Sequence, residues 1–155
     1  MSIEVRNETT AKIDEREFVD LARYVFDAMH LHPATELSVL FVDEPAMEQL
    51  HIRWMDEPGP TDVLSFPMDE LIPGTPERPA PEGLLGDIVI CPTIAAQQAA
   101  TAGHSAAEEM LLLATHGMLH LMGYDHAEED ERTVMFDLQR TLLLTFLASR
   151  GREAK

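Results

Sequence analysis

Three of the chain's seven histidines fall within the segment THGMLHLMGYDH, as His116, His120 and His126. Imidazole in its neutral form is a good nitrogen ligand for a cation. Histidines four apart on a helix project from one face, one turn from each other. Gly123 follows, and glycine readily adopts the left-handed conformation in which helices end. A turn through Gly123, Tyr124 and Asp125 brings His126 back toward the other two rings. Three converging nitrogens with a fourth position left for water or substrate are the ligand set of a catalytic zinc. One zinc ion held by His116, His120 and His126 is therefore expected. Three unrelated histidines are the weaker alternative, because rings on an otherwise apolar helix need polar partners and one cation serves all three. A closed structural site is also disfavoured, since it normally takes four protein ligands.

The spacing His-x3-His-x2-Gly-x2-His is that of the metzincin proteases. Those carry a glutamate directly after the first histidine, as the base that takes a proton from water. Here that position is Gly117, which takes no proton. The ligand pattern is kept and the peptidase base is missing, so peptide hydrolysis is disfavoured. A cation can still lower the pKa of a water and polarise a phosphoryl or carbonyl oxygen. A charge clamp for a developing anion is then wanted, and Arg53 is the best candidate, its planar fork being suited to phosphate. The competing reading of Arg53 is a surface residue paired with Asp56. Asp125 is either a turn residue or a carboxylate that orients an imidazole. Asp87 is similarly either a core-edge turn residue or such a carboxylate. The acidic run Glu128 to Glu131 reads as a favourable helix start. Trp54 and the nine methionines read as packing rather than as a nucleotide platform.

Periodicity supplies the elements that must position these groups. Ile3 to Arg6 alternates as a half-buried strand does. Asp14 with Glu17 marks a helix start, and Phe18, Leu21, Ala22, Val25, Phe26 and Met29 follow as one apolar stripe. Glu36 to Asp43, Asp62 to Phe66 and Leu85 to Cys91 read as further strands, and residues 45–54 as a short helix. Pro92 and Thr93 open a helix that Gly103 ends. Ser105 with Glu108 caps the histidine helix, which is apolar nearly all round and so should be buried. A last helix runs from about Glu128 to Arg150. Residues 71–83 hold four of the ten prolines and two glycines, a composition that excludes a sheet interior and predicts a mobile loop. About four strands and about five helices in this order make an α+β layer architecture, in one domain over residues 1–155.

With 28 acidic and 11 basic residues, the formal charge is −17. Such a surface argues against general polyanion binding, whose affinity comes mainly from Lys and Arg on phosphates. A nucleic-acid role must then rest on a local basic or metal centre, or on a partner that does the docking. The single cysteine, Cys91, excludes an internal disulfide. No apolar run approaches the roughly 20 residues needed to span a membrane, and the N-terminus lacks the pattern of a secretory signal. A cytoplasmic location is expected.

Three blocks resemble one known family. HGMLHLMGYDH is similar to the HGxLHLxGYDH signature of the YbeY family of rRNA maturation factors, and PTDVLSFP at 60–67 and LGDIVI at 85–90 agree with it. The resemblance runs from about residue 36 to 150, and WMDEPGPTDVLSFPMDE looks like the actinobacterial form. It implies a small mixed β-sheet packed with helices, with a metzincin-like metal site on a helix and the following turn. It also implies a metal-dependent, single-strand-specific endoribonuclease acting in 16S rRNA 3′-end maturation and ribosome quality control. The implied partners are single-stranded rRNA, the ribosomal small subunit and ribosome-associated proteins. The family's metal ligands fall on His116, His120 and His126, and its functional arginine on Arg53. In that mechanism a metal-activated water or a ribose 2′-hydroxyl attacks phosphorus while Arg53 holds a nonbridging oxygen. Many members have Tyr before that arginine and Asn three residues earlier still, where this chain has Ile52 and Gln49. The alternatives are a zinc hydrolase acting on a peptide or small molecule, and a non-catalytic ribosome assembly factor.

Overall fold

The computed structural model describes residues 3–153. Its elements in chain order are β1 (Ile3–Asn7), α1 (Glu15–Ala28), β2 (Glu36–Phe41), α2 (Glu44–Met55), β3 (Val63–Pro67), β4 (Leu84–Ile90), α3 (Pro92–Ala102), α4 (Ala106–Leu121) and α5 (Glu129–Glu153). The four strands form one sheet in the order β1-β2-β4-β3. β1 pairs parallel with β2 and β2 parallel with β4, whereas β3 runs antiparallel to β4. This is the mixed α+β architecture expected. β3 is an edge strand, and it ends at Pro67, a residue tolerated where no further ladder bond is needed.

Local signals account for the helix starts. Asp14 accepts a hydrogen bond from the Glu17 amide, Asp43 from Ala46 and Ser105 from Glu108, each satisfying an amide that the first turn leaves open. The stripe on α1 is buried at Phe18, Leu21, Ala22, Val25 and Phe26. These residues join Leu37, Val39, Phe41, Ile88 and Ile90 of the sheet and Leu111, Ala114, Met118 and Leu119 of α4 in the main core. A smaller core on the other side of the sheet gathers Val42, Met47, Leu64, Val89 and Cys91, with Leu50 of α2 against it. α1, α4 and α5 contribute to the larger core and α2 to the smaller one.

Residues 71–83 add no strand, as their composition requires, but they are not free of the body. Leu71 and Ala80 are buried in the main core. The Gly74 amide donates to the Met29 carbonyl and the Ala80 amide to the His30 carbonyl. The expectation of a mobile loop is thus corrected: two apolar anchors and two backbone bonds tie its middle to the end of α1.

Candidate metal centre

α4 is buried along most of its length, and Gly117 explains how closely it lies on the sheet. A Cβ at that position would stand 3.1 Å from Ile88 and from the Ser65 hydroxyl. The residue after His116 therefore faces packed strand residues, so its lack of a carboxylate goes with close helix–sheet approach. α4 ends in a Schellman motif. The Gly123 amide donates to the His120 carbonyl and the Tyr124 amide to the Leu119 carbonyl, both at 3.0 Å. Gly123 has φ +99°, a value that disfavours any side chain. Tyr124 then packs against the main core, and the chain folds back.

That turn brings the three rings together. One ligand atom from each of His116, His120 and His126 lies within 4.8 Å of the other two. Ring centres are 4.6 Å apart for His116 and His120, 5.1 Å for His120 and His126, and 5.5 Å for His116 and His126. Nδ1 of His116 lies 2.7 Å from Oε1 of Gln139 on α5. An amide oxygen only accepts, so Nδ1 carries the proton and Nε2 is left with its lone pair for a cation. Burial pushes His116 below the ordinary imidazole value. The Gln139 bond opposes this, nearby His126 adds to it, and Asp62 opposes it. His120 is pushed down by burial and then by His116 and His126, against Asp125 and a hydrogen bond to the Tyr124 backbone. Both rings are thereby kept neutral, the form that ligates. The donor set fits a cation: three neutral nitrogens, one with its tautomer fixed, and, among the described residues, no fourth His, Cys, Asp or Glu in the group.

The rings border a cleft of about 650 Å³ between α4, α5 and β3. Asp62, Ser65, Gln139 and Phe136 share its lining, together with Met55 at the end of α2. Among the described residues, Asp62 is the only carboxylate of that lining, and no Lys or Arg contributes to it. Its Oδ1 accepts from the Val63 amide at 2.8 Å and from the Thr61 hydroxyl at 3.2 Å. Phe136 stands 6.0 Å from the rings of both His116 and His126.

Arg53 is placed differently from the histidines. It is exposed in the last turn of α2 and is not part of the cleft lining. Its guanidinium lies 5.5 Å from the ring centre of Trp54 and makes no ion pair among the described residues. Asp56, its expected surface partner, is instead the left-handed residue that closes α2. Asp125 accepts from the His126 amide at 2.7 Å, which makes it a turn residue whose charge also reaches His120. Asp87 borders a groove with Trp54 and Phe66, away from the histidine cleft. Glu129, Asp130 and Glu131 form the first turn of α5, as helix electrostatics favour.

Two residues of the cleft have no sequence argument behind them. Asp62 reads from sequence only as the start of a strand. Gln139 carries a usable signal: it is polar, yet it lies four residues after buried Met135 and three before buried Leu142 on α5.

The whole chain can be compared with known proteins. A family model described as "Endoribonuclease YbeY" matches residues 3–147. An endoribonuclease YbeY of Beutenbergia cavernae is 67% identical over 150 residues, spanning 97% of this chain and all of that protein. One from Clavibacter sepedonicus is 62% identical over 153 residues, spanning 98% of this chain and again all of the relative. The solution structure of a Thermotoga maritima protein superimposes with a TM-score of 0.65 at 24% identity, covering 97% of this chain and 93% of that one, a likeness of fold. With the three-histidine cleft and these matches along nearly its full length, the chain belongs to the endoribonuclease YbeY family.

Proposed function

We propose that this protein cleaves single-stranded ribosomal RNA at the three-histidine cleft, with one zinc ion as cofactor. It is an endoribonuclease, hydrolysing phosphodiester bonds within an RNA chain. The observation that carries the reading is the convergence of three ligand atoms within 4.8 Å beside a cleft whose lining offers no Lys or Arg among the described residues. A phosphodiester entering that cleft needs positive charge, and the histidines are the groups able to hold it. His116, His120 and His126 would bind the cation, which when bound supplies polarisation of a phosphoryl oxygen and a lowered pKa for a nearby water. Three nitrogen donors suit zinc better than magnesium.

The chain's own residues divide the remaining tasks. Gln139 keeps His116 in the ligating tautomer. Asp62, held by two hydrogen bonds, accepts the proton of the attacking water or ribose hydroxyl. Phe136 shields the rings from bulk water. Arg53, exposed in the last turn of α2, takes a phosphate oxygen of the strand beside the scissile bond. The acidity of the whole molecule fits a substrate presented by the small ribosomal subunit and ribosome-associated proteins. On that reading the protein acts in the cytoplasm on the 3′ end of 16S rRNA and in ribosome quality control.

Metal analysis paired with a ribonuclease assay tests the site. Wild type should bind one metal per chain and cleave a single-stranded oligoribonucleotide, and His120→Ala should lose both. Loss of metal with cleavage intact would overturn the assignment. The product end distinguishes the nucleophile: a 2′,3′-cyclic phosphate means attack by the ribose.

A further inference from the structure

On the far side of β3 from the histidines lies a second concavity, of about 580 Å³, bordered by Leu50, Trp54, Phe66, Met68 and Asp87. Pro67 borders both this groove and the histidine cleft, so the two meet across one edge strand. Trp54 is the chain's only tryptophan, and it is 58% exposed. A large ring left so open is unusual for a residue whose role is packing. Phe66 stands edge-on to it, with ring centres 5.9 Å apart at 65°. The guanidinium of Arg53, without an ion pair among the described residues, lies against the same indole. An aromatic surface with a cation beside it, next to a phosphodiester-cleaving cleft, matches what unpaired bases stack on.

We propose that Trp54, braced by Phe66 and flanked by Arg53, is a stacking platform that holds one unpaired base of the RNA beside the scissile phosphate. The occupant is a nucleobase rather than a protein side chain, because the groove meets the histidine cleft at Pro67, so a strand whose backbone enters the cleft can cross β3 there and place a neighbouring base on the platform. Charge agrees with this. Asp87 lines the groove, and Asp56 and Glu57 follow Trp54 closely in the sequence. They disfavour an approach led by many phosphates, but they do not oppose a base presenting its neutral face. Affinity drawn from stacking rather than from phosphate contacts reconciles RNA binding with a chain of formal charge −17. The platform also explains a preference for single strands, since a paired base has no free face to offer.

This inference rests on the nuclease reading, and the test separates the two. Because Trp54 is the sole tryptophan, its emission reports on the platform directly. The metal-loaded protein is titrated with a 2′-O-methyl single-stranded oligoribonucleotide, whose intactness is checked after the titration, and with the same strand carrying abasic positions. The base-bearing strand should quench the emission saturably and the abasic strand should not. Trp54→Ala should weaken binding by about 5- to 150-fold, the range for one lost base stack, and Trp54→Phe should recover most of it. On a cleavable strand the loss should fall on KM more than on kcat, with metal content unchanged. RNA cleavage and binding intact while emission stays unchanged and Trp54→Ala binds normally would overturn the platform alone. Metal-loaded wild type that neither binds nor cleaves single-stranded RNA would overturn the nuclease reading and the platform with it.

Discussion

The two walls of the cleft are held in opposite ways. One is α4 with its C-terminal turn: His116 and His120 stand on a helix buried against the sheet, and Gln139 reaches across from α5 to fix a ring. The other is the end of α2 and the loop after it. There the ties are polar: His51 bridges the Gly59 carbonyl and the Glu57 carboxylate, and Glu48 accepts from the Gly59 amide. Residues 52–58 are exposed. A cation demands fixed nitrogens, so its wall is built into the core, where repacking is costly. A long polymer is gripped by contacts that can be weak and several, so that wall is built at the surface.

Perturbing Gln139 sharpens the contrast most. Gln139→Leu removes the acceptor that fixes the His116 tautomer, and metal affinity should fall by about 10- to 100-fold. A competition titration against a chelator reads this, and an unchanged affinity would mean that Gln139 is a bystander. Next comes the turn that carries His126 back to the site. Gly123→Ala places a side chain at φ +99° and should cost about 1–2 kcal/mol. Thermal melts of the metal-free protein should show this as a Tm lower by about 3–8 °C. No shift would show that the turn relaxes without strain.

At the exposed end of α2, outside the cleft lining, the effects should be smaller and of another kind. Arg53→Ala should raise KM by about 3- to 10-fold, the share expected of one charge-assisted contact, while metal content stays at one per chain. The same variant should flatten the salt dependence of RNA binding by about 0.7 in log–log slope, the value for one phosphate of a single strand. A fall in kcat with KM held would instead put the guanidinium on the reacting phosphate.

The smallest effect lies far from both walls, where Arg150 donates to Asp20 at 2.8 Å and lies 3.4 Å from Glu17, tying α5 to α1. Burial pushes the Asp20 carboxyl up, but hydrogen bonds from Arg150 and Arg16 outweigh it and hold it below the ordinary carboxylate value. The lowered pKa adds stability that is present above about pH 4 and is lost as pH falls through the folded value. The pair is partly solvated, so Arg150→Gln should cost under about 1 kcal/mol at pH 7. The difference should shrink in acid melts below about pH 4, and a difference that grows there would refute the assignment.

What is legible in the sequence follows from the same division. The histidine wall is encoded locally. A four-residue offset, an apolar helix and a glycine break are each read within a dozen residues, and the Schellman geometry follows from them. The elements are legible too, because the stripe on α1 and the caps at Asp14 and Ser105 are short-range features. Gln139 escapes a local reading because its partner is 23 residues away and only the packing of α5 on α4 makes them meet. The position of Arg53 depends on how α2 is rotated against the sheet. Met55, two residues on, faces the cleft and Arg53 does not. The tie between residues 71–83 and α1 escapes composition because Leu71 and Ala80 are isolated apolar residues in a proline-rich run. Their burial depends on where the end of α1 lies.

The central claim is that three neutral nitrogens hold one cation and leave part of its coordination open. X-ray absorption spectroscopy of the zinc-loaded protein measures this directly. Three imidazole nitrogens at about 2.0–2.1 Å are expected, with one light-atom ligand that exchanges with added anions. A fourth protein ligand closing the shell, or fewer than three imidazoles around the metal, would contradict it.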